Sequence, residues 1–143
     1  MASENVVSLS EYREASRKNS ERSVLVVDSD ELVRNGMKRF LEADNYRVEL
    51  AEDAMSLSEV IEASHLDLMF LDVDLPWVNG IELCQLLKEH PVVGKIPIIL
   101  TSQKNCKSVM EQAFAAGCDE YLVKPFGADT MSEAVQKVFG ENF

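Results

Sequence analysis

Two carboxylates at the end of an apolar run are the first candidates for chemistry in this sequence. The stretch "FLDVDLP" (70–76) places Asp72 and Asp74 two residues apart, with Pro76 following them. Residues two apart on a strand share one side of it, and ligand-binding residues of parallel sheets gather at strand ends. Asp72 is therefore a candidate nucleophile, a candidate acceptor of a transferred group, or a solvated acid of a loop.

Polar residues also stand at the ends of three further apolar runs, namely Asp28, Thr101 and Lys124. Because the carboxyl ends of parallel strands meet at one edge of a sheet, we expect these side chains to lie close to Asp72. Any one of them could simply cap a loop. Four that converge from separate segments indicate a functional site.

Acids, a hydroxyl and a lysine together suit the transfer of a phosphoryl group. Crowded carboxylates repel one another, and Mg²⁺ relieves that repulsion because it prefers a few carboxylate oxygens and binds phosphate oxygens. An aspartate can attack phosphorus and form an acyl phosphate. A metal ion and a lysine then neutralise the transferring oxygens, and a threonine hydroxyl can donate a hydrogen bond to them.

Short apolar runs alternate with segments of helical periodicity from Ser23 onward. The predicted strands are 23–27, 46–51, 67–72, 96–102 and 119–124. The predicted helices are 31–43, 56–63, 80–90, 106–117 and 128–140, with Asp53 as a cap of the second. This alternation predicts an α/β fold, in which a doubly wound parallel sheet carries helices on both faces.

The N-terminal segment differs from the rest of the chain in charge. Residues 1–22 hold four acids and four bases, so the whole net charge of −11 lies in residues 23–143. A domain this acidic repels phosphate backbones, so we expect no direct binding of DNA or RNA. We expect residues 1–22 to be a flexible polar extension that could form a short amphipathic helix, and residues 23–143 to be one domain, with no second domain after residue 140.

No apolar run approaches the ~20 residues that a membrane span needs, and the N-terminus has no apolar signal-peptide core. We therefore expect a cytoplasmic protein that does not bind a membrane. The three cysteines, Cys84, Cys106 and Cys118, lack metal-type spacing and are predicted to be buried small apolar residues.

Four segments, in this order and at this spacing, resemble the receiver domain of two-component response regulators. They are "VLVVDSDELVR", "DLMFLDVDLPWVNGIEL", "IPIILTS" and "AGCDEYLVKPF", and the resemblance extends over about residues 23–140. It implies a flavodoxin-like receiver fold of the stand-alone type, with five helices and five strands in the order 2-1-3-4-5.

The resemblance implies a role for each residue of the predicted site. Asp72 would accept a phosphoryl group from a histidine kinase or a histidine phosphotransfer protein. Asp28, Asp72 and the backbone carbonyl of Asp74 would hold Mg²⁺, while Thr101 and Lys124 would contact the phosphoryl oxygens.

The family pattern also implies a switch and a partner surface. Tyr121 occupies the aromatic switch position, and the peptide bond before Pro125 would be cis. The surface of the fourth predicted helix, the fifth strand and the fifth helix would bind a downstream protein. We expect a monomer or a weak homodimer.

Ser29 departs from the family pattern, which usually has an acid there that binds the metal directly. A serine hydroxyl is a weaker ligand, so the affinity for Mg²⁺ should fall. Asp30 is favoured as a helix cap over a ligand, whereas the side chain of Asp74 could supply the missing charge. A degenerate receiver that acts as a protein-interaction module without phosphorylation therefore remains the alternative.

"FLDVDLP" also resembles the opening motif of haloacid-dehalogenase hydrolases, with Asp72 as nucleophile and Asp74 as general acid. That family expects a threonine where Pro76 stands, and residues 1–66 would have no explanation. We therefore expect a signalling domain rather than an enzyme.

Overall fold

Five short strands pair in parallel in the order β2-β1-β3-β4-β5, as predicted. The computed structural model describes residues 8–140, so residues 1–7 of the predicted extension and residues 141–143 of the predicted domain lie outside it. The strands are β1 (Ser23–Val27), β2 (Arg47–Ala51), β3 (Leu68–Asp72), β4 (Ile98–Ser102) and β5 (Glu120–Val123).

Six α-helices occur in the described part of the chain, one more than the five predicted. They are α1 (Leu9–Ser20), α2 (Glu31–Ala43), α3 (Ala54–Ala63), α4 (Gly80–Glu89), α5 (Lys107–Ala115) and α6 (Ala128–Phe139). The fourth and fifth predicted helices are thus α5 and α6. Within residues 8–140, none of the helices combines the length and the hydropathy that a membrane crossing requires.

The additional helix, α1, begins with a local cap. The hydroxyl of Ser8 accepts a hydrogen bond from the backbone N–H of Glu11 at 3.2 Å, which satisfies a donor that the first helical turn leaves unpaired. The acid Glu11 lies in the first turn and the bases Arg17 and Lys18 in the last, which suits the helix dipole. Local chemistry therefore supports the helix without any contribution from a core.

Polar contacts attach α1 to the turn between α2 and β2. Asn19 Nδ2 donates to the carbonyl of Asp44 at 2.7 Å, and Asn45 Nδ2 donates to the carbonyl of Ser16 at 2.8 Å. No residue of α1 is buried. The helix is thus docked on the domain from outside.

The two faces of the sheet carry two separate cores. Val24 and Val26 pack with α2 and α6 on one face, whereas Leu25 and Val27 pack with α3, α4 and α5 on the other. Every residue of β3 and β4 is buried. Helices that cover both faces explain why these strands read as continuous apolar runs.

Two of the three cysteines are buried and one is exposed. Cys84 and Cys118 are buried as predicted, and burial raises the pKa of their thiols to about 11 and about 12. Cys106 is exposed, so that prediction is wrong. It stands before the first turn of α5, at the N-cap, rather than on the packed face of the helix.

The start of α4 lies directly against the end of β3. Asn79 caps the helix by accepting hydrogen bonds from the N–H groups of Ile81 and Glu82. A Cβ at position 80 would collide with the carbonyl oxygen of Asp72, so only glycine permits this close approach. Gly80 therefore helps to position the strand end that carries Asp72.

We predict that Gly80→Ala lowers the free energy of unfolding by about 1–3 kcal/mol, because the added methyl group must displace backbone. The matched control is Gly36→Ala on α2, where no atom apart from the adjacent residues and the backbone of the helix itself lies within 4 Å of the added carbon. That change should raise stability by roughly 0.5–1 kcal/mol through helix propensity. Urea denaturation measures both, and equal stability of Gly80→Ala and wild type would contradict the packing argument.

Candidate functional site

The predicted residues meet at the carboxyl edge of the sheet. Asp28 and Asp72 are 1% and 3% exposed, and Lys124 Nζ lies 2.7 Å from Asp28 Oδ2 and 3.4 Å from Asp72 Oδ1. Thr101 is buried beside Asp72, its partner in the β3–β4 register. These carboxylates and this ammonium line a pocket of about 260 Å³, together with Ser29, Asp30, Val33, Asp74 and Gln103.

The two oxygens of the Asp72 carboxylate have different surroundings. Oδ1 accepts a hydrogen bond from the backbone N–H of Asp74 at 3.0 Å and lies near Lys124. Among residues 8–140, the structure shows no hydrogen bond to Oδ2. One oxygen is therefore held by a hydrogen bond, whereas the other has no hydrogen-bond partner among residues 8–140.

Burial and neighbouring charges shift the ionisation of this cluster. Burial raises the pKa of Asp72, the N–H of Asp74 opposes that shift, and the charge of Asp28 adds to it. Burial lowers the pKa of Lys124. The hydrogen bond to Asp28 and the charges of both carboxylates raise this pKa by more than burial lowers it, so the net shift is upward. Lys124 therefore stays charged near neutral pH, and with both acids ionised the cluster carries one net negative charge.

Asp30 serves as the N-cap of α2, as predicted. Its Oδ1 accepts hydrogen bonds from the N–H groups of Leu32 and Val33 at 2.9 and 3.3 Å. This carboxylate is therefore engaged in capping. Ser29, which precedes it, contributes only a hydroxyl to the pocket.

The carboxylate of Asp74 contacts the loop that follows β4. Its Oδ2 accepts a hydrogen bond from the hydroxyl of Ser102 at 3.1 Å, and its Oδ1 lies 3.5 Å from Lys104 Nζ. Ser102 and Lys104 were not among the partners of Asp74 predicted from the sequence. The one signal available was that Ser102 follows Thr101 at the same strand end.

Oxygen atoms make up the whole set of potential metal ligands. Asp28 and Asp72 are two buried carboxylates, and Ser29 and Asp74 line the same pocket, where the hydroxyl of Ser29 and the backbone carbonyl of Asp74 would be further oxygen donors. Within residues 8–140, no group of three or more acidic, histidine or cysteine residues is arranged to hold a metal ion. The donors fit Mg²⁺ that keeps several waters, and so few charged ligands favour weak binding.

Tyr121 lies at the edge of this region rather than inside the pocket. Its hydroxyl donates a hydrogen bond to the backbone carbonyl of Lys104 at 2.8 Å. The ring is therefore tied to the same loop that Asp74 contacts. Further along the chain, the peptide bond between Lys124 and Pro125 is cis.

Comparison with known proteins identifies the family. The sequence model of the response regulator receiver domain family matches residues 24–136 of this chain. The transcriptional regulatory protein ResD of Bacillus subtilis is 35% identical over 108 residues, which cover 75% of this chain and 43% of ResD. The chain therefore belongs to the response regulator receiver family, whose members are signalling switches of two-component systems rather than classical enzymes.

Solved structures agree with this assignment. The chemotaxis response regulator CheY4 of Vibrio cholerae superposes with a TM-score of 0.76 at 25% identity, over 82% of this chain and 98% of CheY4. The receiver domain of the sensor histidine kinase PA1611 from Pseudomonas aeruginosa, at 22% identity and a TM-score of 0.74, covers 84% of this chain and 98% of that one. Its structure has a magnesium ion in the active-site cleft. The chain spans less than half the length of curated relatives such as ResD.

We predict that Asp72→Asn stabilises the protein at neutral pH in the absence of metal. The raised pKa of Asp72 means that its ionised form is disfavoured in the folded state. That destabilisation is fully present when the pH lies above the folded-state pKa, and it is lost as the pH falls through that value to the ordinary carboxyl pKa of 3.8. The gain in unfolding free energy should therefore be larger at pH 7 than in a buffer at pH 3.8. Denaturation curves across this range measure it, and a gain that grows on acidification would contradict the assignment.

Proposed function

We propose that the domain is a phosphoryl-accepting switch in a two-component phosphorelay, acting in the cytoplasm. Asp72 would take the phosphoryl group from a phosphohistidine of a histidine kinase or a phosphotransfer protein. The observation that carries this proposal is the asymmetry of the Asp72 carboxylate, with Oδ1 held by Asp74 and Oδ2 without a hydrogen bond from residues 8–140.

The proposed transfer forms one bond to phosphorus and breaks another. Oδ2 of Asp72 attacks phosphorus and forms a P–O bond, while the P–N bond to the imidazole breaks and its electron pair stays on nitrogen. Lys124, already 3.4 Å from the Asp72 carboxylate, would neutralise a phosphoryl oxygen. The hydroxyl of Thr101, on the neighbouring strand, would donate a hydrogen bond to another.

Mg²⁺ would be held by Asp28, Asp72 and the backbone carbonyl of Asp74, and when bound it would neutralise charge on the transferring oxygens. The net negative charge of the cluster supports cation binding. Lys124 Nζ now donates to Asp28 Oδ2, so a cation on that carboxylate would compete with the lysine and favour its movement toward the phosphoryl group.

An apolar groove beside the pocket supports docking of the phosphodonor. The groove has a volume of about 450 Å³ and lies between α2 and the segment that follows β5. It shares Val33, Gln103 and Lys124 with the phosphoacceptor pocket. Leu32 on its rim is 84% exposed, so an apolar side chain is available to a partner there. A helix of the donor placed here would bring its histidine next to Asp72.

A downstream protein would bind the surface formed by α5, β5 and α6, which we call the output face. Tyr121 lies on β5 and its hydroxyl contacts the loop that leads into α5. A change at the phosphoacceptor that moves this loop would therefore alter the output face. Phosphorylation would act by shifting the populations of two arrangements of that face.

The experiment that tests this function is labelling of the purified protein by a small phosphodonor such as acetyl phosphate. Wild type should gain one phosphoryl group in the presence of Mg²⁺, and Asp72→Asn should gain none, because it lacks the nucleophilic oxygen. Asp129→Asn, which changes an exposed acid at the start of α6, is the matched control and should label normally. Absence of labelling in wild type would instead favour the interaction module that works without phosphorylation.

Ser29 motivates a second prediction, since it stands beside the metal ligands without a charge. Ser29→Asp should raise the affinity for Mg²⁺ by about tenfold or more, which corresponds to ~1.4 kcal/mol. Ser10→Asp adds the same charge on exposed α1 and should change nothing. The fluorescence of Trp77, the one tryptophan of the sequence and five residues after Asp72, can report the titration. An unchanged affinity in Ser29→Asp would mean that another group already supplies the charge.

A third prediction separates docking from chemistry. Leu32→Asp should slow transfer from a phosphorylated kinase or phosphotransfer domain by about tenfold, because a rim anchor of the groove is lost. It should leave labelling by acetyl phosphate unchanged. Leu86→Asp on α4 alters an equally bulky side chain that is 63% exposed and lies outside the groove. If both variants slow transfer equally, the groove is not the docking surface.

A further inference from the structure

A continuous chain of hydrogen bonds connects the phosphoacceptor with the predicted switch residue. The N–H of Asp74 donates to Asp72 Oδ1 at 3.0 Å, and Asp74 Oδ2 accepts from the hydroxyl of Ser102 at 3.1 Å. Ser102 Oγ in turn accepts the N–H of Lys104 at 3.0 Å. The carbonyl of Lys104 then accepts the hydroxyl of Tyr121 at 2.8 Å.

Asp74 is the residue of this chain that joins two loops. Its backbone belongs to the β3–α4 loop, and its carboxylate faces the β4–α5 loop. Besides the bond from Ser102, its Oδ1 lies 3.5 Å from Lys104 Nζ, and its Oδ2 lies 3.5 Å from the N–H of Gln103. The last residue of β4 and two residues of the β4–α5 loop therefore converge on a single carboxylate.

Loss of this carboxylate would affect a buried group. Ser102 is fully buried, and its hydroxyl donates to Asp74. Without that acceptor, the hydroxyl would lose the group to which it donates at a partly buried position, which costs more than the loss of a fully exposed hydrogen bond. The loop would then rearrange so that the hydroxyl finds another partner.

We propose that Asp74 is a positioning residue that holds the β4–α5 loop in place through its contacts with Ser102, Gln103 and Lys104, which we call the latch. The latch thereby fixes the Lys104 carbonyl that accepts the Tyr121 hydroxyl. In this arrangement the side chain of Asp74 serves the loop, while its backbone N–H orients the Asp72 carboxylate. The state of Tyr121 depends on Asp74 even though the two side chains do not contact each other directly.

The release of the latch rests on the proposed function. Asp74 lines the phosphoacceptor pocket, so a phosphoryl group on Asp72 would add negative charge close to its carboxylate. The ammonium group of Lys104, now beside Asp74, would gain a second and more highly charged partner. Repulsion of one group and attraction of the other would both weaken the latch, which frees the loop and Tyr121.

The latch itself can be tested without metal or phosphodonor, by hydrogen exchange of the Lys104 amide in the unmodified protein. Asp74→Ala should accelerate this exchange by about tenfold or more, because the acceptor that holds Ser102 is lost. Asp74→Asn keeps an acceptor for the Ser102 hydroxyl and should give an intermediate rate. Lys107→Met, which breaks the ion pair with Glu111 at the start of α5, is the control and should not change it.

A spectroscopic signature of Tyr121 completes the test, since a merely structural role of Asp74 would not move it in a specific direction. With fluorotyrosine incorporated, the Tyr121 signal should shift in unmodified Asp74→Ala toward the position that wild type reaches after phosphorylation. Wild-type exchange rates together with an unshifted signal in Asp74→Ala would overturn the latch. A phosphorylated wild type whose signal moves in a different direction would overturn release of the latch as the route to the switch.

These outcomes are separable from the proposed function. If wild type cannot be phosphorylated, the phosphoryl-accepting role fails, while faster exchange in Asp74→Ala still supports the latch. If wild type is phosphorylated normally and Asp74→Ala exchanges as slowly as wild type, the latch is wrong and the phosphoryl-accepting role stands.

Discussion

The rest of the site depends on the ion pairs between the ammonium group of Lys124 and the buried carboxylates of Asp28 and Asp72. This ammonium group lies 2.7 Å from Asp28 and 3.4 Å from Asp72, and it comes from the end of β5 while the acids come from β1 and β3. Two like charges buried together would otherwise repel each other strongly. Asp28 and Lys124 are 96 residues apart in sequence, so only the parallel sheet, with all its carboxyl ends at one edge, brings them together.

This arrangement leaves the site electrostatically incomplete. One ammonium offsets one of two carboxylates, so in the proposed function the pocket would favour a cation, and Ser29 would reduce the charge available to hold it. Oδ1 of Asp72 has contacts with Asp74 and Lys124, so Oδ2 would be the oxygen that reacts. Orientation and charge come from different neighbours, since Asp74 provides the N–H and Lys124 the positive charge.

Much of the fold and of the site could be predicted from the sequence, because the hydropathy pattern of each strand and helix agrees with its place in the fold. The buried strands and the convergence of Asp28, Asp72 and Lys124 follow from continuous apolar runs and the geometry of parallel sheets, whereas the strand order was implied by the resemblance to receiver domains. The direction of the Asp74 side chain does not follow. The structure ends β3 at Asp72, so Asp74 lies in a turn where the two-residue repeat of a strand no longer applies. Its partner Ser102 is close only after folding. The sequence likewise did not determine whether α1 forms, because a local cap and a few polar contacts stabilise this helix rather than burial.

We propose that Asp72, and no other acid of this cluster, receives the phosphoryl group. Reduction of the acyl phosphate with borohydride, followed by peptide mass spectrometry, identifies the labelled residue directly because the modified aspartate becomes homoserine. We expect homoserine at position 72 after incubation with a phosphodonor and Mg²⁺. Homoserine at position 28, 30 or 74 with an unchanged residue 72 would contradict it.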